Sequence, residues 1–318
     1  MSAKAPTLLA PDRDGIVKAA RLLADGGLVA LPSETVYGLA ADARNDRAVA
    51  RIYEAKGRPS FNPLIVHVAD MAAVERIAEM PGAARRLAAA FWPGPMTLVL
   101  PLRATAGLSP LVTAGLPTVA LRLPAHPVMR AVLAAFGGPV AAPSANPSGR
   151  ISATRAEHVI AGLGAQVDAV LDAGPCAVGV ESTILAPAPG GLRLLREGGL
   201  TREAITNVAG PVQEDVTPGK VEAPGQLSSH YAPEVAVRLG GAAQPGDITV
   251  GFGPGAADLT LSETGDLVEA ATRLFDVLHA ADRLAADRQA RAIRVSDIPD
   301  EGLGRAINDR LRRAAAPR

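Results

Sequence analysis

The stretch LVALPSETVYGL (residues 28–39) joins an aliphatic run directly to a cluster of hydrogen-bonding side chains. Leu28, Val29, Ala30 and Leu31 read as a buried strand that Pro32 ends. Ser33, Glu34, Thr35 and Tyr37 then fall at the C-terminal edge of that strand, where open α/β sheets bind their ligands. A structural alternative serves the same residues: Ser33 caps a short helix and Glu34 occupies its first turn. Outward from this stretch, helical and strand patterns alternate. Helical spacing over 16–23 precedes it, introduced by Asp12 and Asp14 and stopped by Gly26-Gly27. Beyond it, 46–55, 71–79, 83–91 and 128–136 read as helices. The segments 64–68, 97–100, 118–123, 140–142, 169–171, 182–185 and 192–195 read as strands, and 201–208 as a capped helix. This alternation is that of an α/β protein.

Composition narrows the class. Of 318 residues, 48% are hydrophobic and 20% charged, which suits a globular chain with an ample core. Aromatic residues make up only 3%, so Ala, Val, Leu and Ile must build that core. The 32 basic and 32 acidic residues cancel, which counts against a nucleic-acid coat protein while permitting a local basic patch. The single cysteine, Cys176, excludes an intrachain disulfide and a cysteine-based zinc cluster, and a reducing cytoplasm is the expected compartment. Residues 1–14 do not resemble a secretory signal, and no run nears the roughly 18 apolar residues needed to span a membrane. Between 210 and 234, Pro211, Pro218, Pro224 and Pro233 interrupt any apolar period, so this stretch reads as a linker. Strands at 235–239, 248–252 and 292–295 with helices at 266–285 and 303–313 make a second α/β unit. The expected division is 12–205, a linker and lid at 206–234, and 235–318.

Two strings resist a purely structural account. Lys56-Gly57-Arg58-Pro59 follows a helix, and Gly57 and Pro59 explain its end. Arg58 and the following Asn62 have no such explanation and suit a phosphate or ribose. The glycine spacing is not that of a Walker A loop. Pro143-Ser144-Ala145-Asn146 again follows a short buried strand, and its small residues let backbone N–H groups approach an anion. Ser152 and Thr154 come just after it, Thr154 also suiting an N-cap. His67 shares a strand face with Ile65, leaving a core histidine and a site histidine both open. Arg122, mid-strand among aliphatics, needs either a salt bridge or a bound anion. Glu181-Ser182-Thr183 and Arg196-Glu197-Gly198 flank two further strands. All these polar clusters lie at strand ends, and together they predict a polyanion site built from distant loops.

The strings LPSETVYGLAADA, KGRPSFNPLIVHV, FWPGPMTLVL, TVALRLPAHP, APSANPSG, VESTIL and LREG, in this order over residues 12–200, resemble the YrdC-type threonylcarbamoyl-AMP synthases. The Pro-rich segment with His230-Tyr231-Ala232-Pro233 is similar to the linker of the long, two-domain form. The resemblance implies a twisted mixed-sheet α/β domain of the YrdC-like (DHBP-synthase-like) kind. It also implies a large concave, positively charged cavity and a small Rossmann-like C-terminal domain. It implies that L-threonine, bicarbonate or CO2, and ATP give L-threonylcarbamoyl-AMP and diphosphate, with Mg2+ accompanying ATP. The product would feed a downstream threonylcarbamoyl-transferase complex that modifies tRNA, with at most a weak direct tRNA contact. Carried over residue by residue, threonine falls to Thr35, His67, Arg122, Ala142 and Ser182. ATP falls to Arg58, Asn62, Thr118, Ser144, Ser152, Arg196 and Tyr231. Lys56, Arg58, Ser144 and Asn146 match the signature quartet, with Lys56 and Arg58 expected on the phosphates and Arg122 on the threonine carboxylate. One departure stands out: Leu227 and Ser228 occupy positions where the long form carries lysine and tyrosine. Two rival expectations are a tRNA- or dsRNA-binding protein without catalysis and a carbamoyl-transfer protein of hydrogenase maturation. Scarce aromatics weaken the first, and the single cysteine weakens the second.

Overall fold

The aliphatic run at 28–31 has both of its faces covered. The computed structural model describes residues 5–188, 191–214, 222–226 and 229–317. Across its large sheet the strands run Thr7–Leu9, Ala169–Leu171, Val29–Leu31, Gly38–Asp42, Val140–Ala141, Ile65–His67, Thr118–Arg122, Met96–Pro101, Thr183–Ala188, Gly191–Arg196 and Val212–Glu214. Val29–Leu31 is parallel to Ala169–Leu171 and antiparallel to Gly38–Asp42, so the sheet is mixed. Leu28 and Ala30 pack with Val49 and Ile52 of the helix Asp46–Lys56. Val29 and Leu31 pack on the other face, with Leu23 of Arg13–Ala24 and Leu133 of Pro127–Phe136. A strand buried on both faces reads as a continuous hydrophobic run, as this one does.

That second face changes character along the sheet. Past the helices, a small cluster of Ile65, Val99, Ala120, Ile184 and Leu195 is covered by Ala223 of the segment between the two units. Register places His67 beside Arg122 and Ile65 beside Ala120 on this face, and Ala142 N–H donates to the Ile65 carbonyl (2.9 Å). A region of sheet roofed by linker in place of helix is where a cavity can form.

The second unit is a parallel sheet in the order Ala236–Leu239, Ala292–Val295, Ile248–Gly251, Leu259–Thr260. The helices Leu267–Arg288 and Leu303–Ala315 pack on it through Leu274, Leu278, Ile307 and Leu311. Val36, Ile151 and Val180 of the first unit join the same cluster with Tyr231, so the two cores meet.

Several local expectations differ from the structure. Ser33 forms no helix cap: its hydroxyl accepts from the N–H groups of Thr35 and Val36 (3.2 Å each) and donates to the Val36 carbonyl (2.6 Å). The resulting turn sends the chain back as Gly38–Asp42, a strand that its glycine- and alanine-rich sequence concealed. Thr154 caps nothing, because Ala156–Leu163 begins after Arg155 without a side-chain cap bond. The capped helix expected at 201–208 is present as Arg202–Ala209, but within the stretch read as linker Val212–Glu214 joins the sheet beside Gly191–Arg196 and Val212 packs against the main core. Averaging its prolines over a long window hid those anchors. Leu227 and Ser228 lie outside the described residues.

Candidate active site

The turn at Ser33 aims its next two residues at the mid-strand arginine. Arg122 donates through Nη2 to Glu34 Oε1 (2.6 Å), through Nη1 to Thr35 Oγ1 (2.9 Å) and through Nε to the Gly94 carbonyl (3.2 Å). Burial by itself would raise the Glu34 carboxyl; the Arg122 charge and hydrogen bond, with backbone N–H groups, outweigh it and bring it down to about 2. Of the two alternatives open for Arg122, the salt bridge is therefore present, and Arg122 also lines the cavity. His67 beside it is buried, and burial, then the Arg122 charge, push its imidazole down to about 3. It is neutral at pH 7, and its Nδ1 has no partner among the described residues. It is not a satisfied core histidine.

The two unexplained strings touch each other. Asn45 caps the helix Asp46–Lys56, and Gly57 closes it with φ 57°, a left-handed value suited to glycine. Lys56 at its last turn donates to the carbonyls of Ser144 (2.6 Å) and Asn146 (2.5 Å). Burial, reinforced by nearby Arg58, lowers its ammonium well below the ordinary lysine range. Lys56 thus braces the Pro143–Asn146 loop from behind and does not itself line the cavity. Asn146 continues the brace, its Nδ2 donating to the Pro147 and Arg150 carbonyls (2.8 and 2.9 Å).

Arg58 turns inward. It donates to the backbone carbonyls of Asn62 (3.1 Å) and Pro63 (2.8 Å) and to Asn62 Oδ1 (2.7 Å). Arg196, at the end of Gly191–Arg196, donates to the Ser182 carbonyl (2.8 and 3.1 Å), the Ser182 hydroxyl (3.1 Å) and the Pro224 carbonyl (3.3 Å). Neither guanidinium is hydrogen bonded to a carboxylate among the described residues, although both are buried. Burial pushes Arg58 down to about 10 and lowers Arg196 as well. Two buried cations held by neutral acceptors make a strong anion site, since burying an uncompensated charge is expensive.

The linker closes over this arrangement. Gly225, at φ 86°, lies so close to Arg196 and Tyr231 that a Cβ there would come within 2.8 Å of Arg196 Cδ and 3.1 Å of the Tyr231 hydroxyl. His230 packs edge-on against Tyr231 with ring centroids 4.3 Å apart. The cavity left beneath the linker is small, with a volume of about 50 Å³. Of the residues singled out in the sequence, Thr35, Arg58, His67, Arg122, Ala142, Ser144, Ser182, Arg196 and Tyr231 line it. Lys56, Asn62, Asn146 and Ser152 stand behind them as braces, Ser152 donating to Glu181 Oε1 (2.5 Å). Thr118 does not reach the lining: it begins the strand that Arg122 ends, paired with Pro101. Sequence reasoning put Glu181 in a strand-end polar cluster without a role of its own, and passed over Gly225 in the lining and Arg310 behind it. The signal for Arg310 was an arginine on the apolar stripe of its helix.

A mixed α/β sheet carrying an arginine-lined cavity is the architecture of an enzyme acting on a small anionic substrate. Comparison with known proteins makes this specific. The family model described as telomere recombination, of the Sua5, YciO and YrdC proteins, matches residues 21–198. That described as threonylcarbamoyl-AMP synthase, C-terminal domain, matches residues 200–316. The threonylcarbamoyl-AMP synthase of Bacillus subtilis (strain 168) is 42% identical over 95% of this chain and 93% of its own length. That of Pyrococcus abyssi (strain GE5 / Orsay) is 38% identical over 94% of each. The crystal structure of P. abyssi Sua5 complexed with L-threonine superposes with a TM-score of 0.88 at 36% identity, covering 98% of both chains. The chain belongs to the threonylcarbamoyl-AMP synthase family, in its two-domain form.

Proposed function

We propose that this chain joins L-threonine, bicarbonate or CO2, and ATP into L-threonylcarbamoyl-AMP and diphosphate. The observation that carries the reading is the lining of one cavity. Arg58 and Arg196, hydrogen bonded to no carboxylate among the described residues, form one group in its lining, and Thr35, His67 and Arg122 form another. The first group suits a triphosphate and the second an amino acid. In the reaction the threonine amine adds to CO2 as a carbamate and loses a proton. A carbamate oxygen then attacks the α-phosphorus of ATP as the bond to the β,γ-diphosphate breaks. Such phosphoryl chemistry asks the protein mainly for positioning and for positive charge where oxygen charge develops.

Arg122, with two donors already fixed on Glu34 and Thr35, is oriented to meet the threonine carboxylate, and neutral His67 offers a nitrogen to the amine or hydroxyl. Ser182 and Ala142 complete that group. Arg58 and Arg196 neutralise phosphate oxygens, Ser144 offers its hydroxyl, and Lys56 with Asn146 holds the loop that presents it. Asn62, Ser152 and Tyr231 serve the nucleotide by fixing Arg58, Glu181 and the linker. For Thr118 we retain a nucleotide role only through rearrangement of its strand end. Among the described residues no three His, Cys, Asp or Glu side chains converge on a metal position. Mg2+ would accompany ATP on its phosphates, where it would supply charge neutralisation. Chain 206–234 acts as lid between domains 12–205 and 235–318, excluding water from the mixed anhydride.

No helix of the described chain is long and apolar enough to cross a membrane. We place the reaction in the cytoplasm, with hand-over of the product to a tRNA threonylcarbamoyl transferase and only weak direct contact with tRNA. The test is release of diphosphate from ATP with each co-substrate omitted in turn. Release that depends on both threonine and bicarbonate is expected; equal ATP cleavage without threonine overturns the reading.

A further inference from the structure

Helix Leu303–Ala315 of the second unit presents Ala306, Ile307, Leu311 and Ala314 to its own core, yet Arg310 sits among them with no exposed surface. Its Nη1 bonds Asp309 of the same helix (2.6 Å), but the rest of the guanidinium leaves the unit. Nε donates to Glu181 Oε2 (2.8 Å) and Nη2 to the Glu197 carbonyl (2.8 Å). Cζ lies 5.2 Å from the centroid of the Tyr231 ring, a cation–π contact with the linker. Glu181 itself lines the cavity, and its other oxygen accepts from Ser152.

A carboxylate in that wall poses an electrostatic problem. Both Lys56 and Arg196 are close enough to Glu181 to feel its charge. Left alone, Glu181 would pair with one of them and cancel positive charge at the phosphate site. Arg310 supplies the counter-charge from outside the cavity.

We propose that Arg310 is a positioning residue for the nucleotide: by pairing with Glu181 it keeps Arg196 available to phosphate and fixes Ser152 and Tyr231 in place. The second unit thereby takes a direct part in the site in addition to anchoring the lid. This inference rests on the synthase reading of the cavity.

The test uses the full chain and diphosphate release, varying ATP at saturating threonine and bicarbonate, then threonine at saturating ATP. Arg310→Met raises KM for ATP by about tenfold or more, while KM for threonine moves by less than about twofold. Arg310→Lys, which keeps the charge and loses the fork, recovers part of the ATP affinity. Adding Glu181→Gln to Arg310→Met also recovers part of it, because no bare carboxylate then competes for Arg196. A purely packing role predicts otherwise, with Arg310→Met and the double variant equally impaired or both KM values and kcat changed together; either result overturns the proposal. Should Arg310→Met unfold at the assay temperature, Arg310→Lys and the double variant decide the matter alone. Wild-type protein lacking threonine-dependent release would overturn the synthase reading and this inference with it; a normal wild type with an unaltered Arg310→Met overturns the inference only.

Discussion

The pair Glu34–Arg122 offers a prediction whose size follows from the structure. Glu34 is 8% exposed, and its carboxyl is held at about 2 against an ordinary value of 4.5. A difference of about 2.5 pKa units at 1.36 kcal/mol each corresponds to about 3 kcal/mol of stability. The folded value is the depressed one, so the contribution is complete above about 4.5 and is lost as pH falls toward 2. Glu34→Gln keeps the shape and removes the titration. Guanidinium unfolding of wild type and variant at several pH values between 7 and 3 isolates this group, since other titrations are common to both chains. The gap in unfolding free energy should be about 3 kcal/mol at pH 7 and should shrink steadily below about pH 4.5. Parallel curves over the whole range would refute the argument, showing that the pair contributes no net ionic stabilisation to this fold.

Further tests address the other parts of the site. Arg58→Met should weaken ATP binding by about thirtyfold or more while leaving calorimetric threonine affinity nearly unchanged; Arg196→Met should weaken ATP binding as much and, because Arg196 also holds Ser182, lower threonine affinity as well. Lys56→Met strands the Ser144 and Asn146 carbonyls, costing about 1–3 kcal/mol in denaturant unfolding and most of the turnover; an unaltered denaturation midpoint would exclude the brace. Replacing His230 and Tyr231 together by alanine should open the roof and yield ATP breakdown without matching threonylcarbamoyl-AMP, read by chromatography of the nucleotide products. The stacked pair His158 and His279, with centroids 3.9 Å apart between the units, titrates below the ordinary imidazole range, His158 at about 3. Burial is the first cause for both, so this contribution is present above pH 6.5 and lost as pH falls toward 3. His158→Phe/His279→Phe should flatten the acid limb of the stability curve, measured by thermal unfolding between pH 7 and 4.

Much of this site was legible because strand ends announce themselves. An aliphatic run followed by proline and hydroxyls pointed to a site as readily as to a capped turn, and Thr35 and Ser144, found by that pattern, line the cavity. Gly57 and Pro59 marked the helix end that puts Lys56 and Arg58 side by side. The strand Gly38–Asp42 was not legible, because glycine and alanine carry no β preference and only its central place in the sheet makes it a strand. Nor was the start of the Pro-rich stretch, where Val212 packs against the main core and its strand joins the sheet in chain that proline content marked as extended.

The sequence by itself determined the alternation of elements, the ends at which chemistry-bearing residues gather and, through its ordered strings, the family. Local pattern suffices for these because turn residues, caps and hydrophobic period act over a few positions. Only the tertiary structure decided what each charge does. Lysine and arginine two residues apart read as one phosphate-binding pair, yet Lys56 points backward to carbonyls and Arg58 inward to the cavity. Glu181 and Arg310 are 129 residues apart and belong to different units. Such assignments depend on which buried charge finds which partner, and in a low-dielectric interior that is set by distance in space.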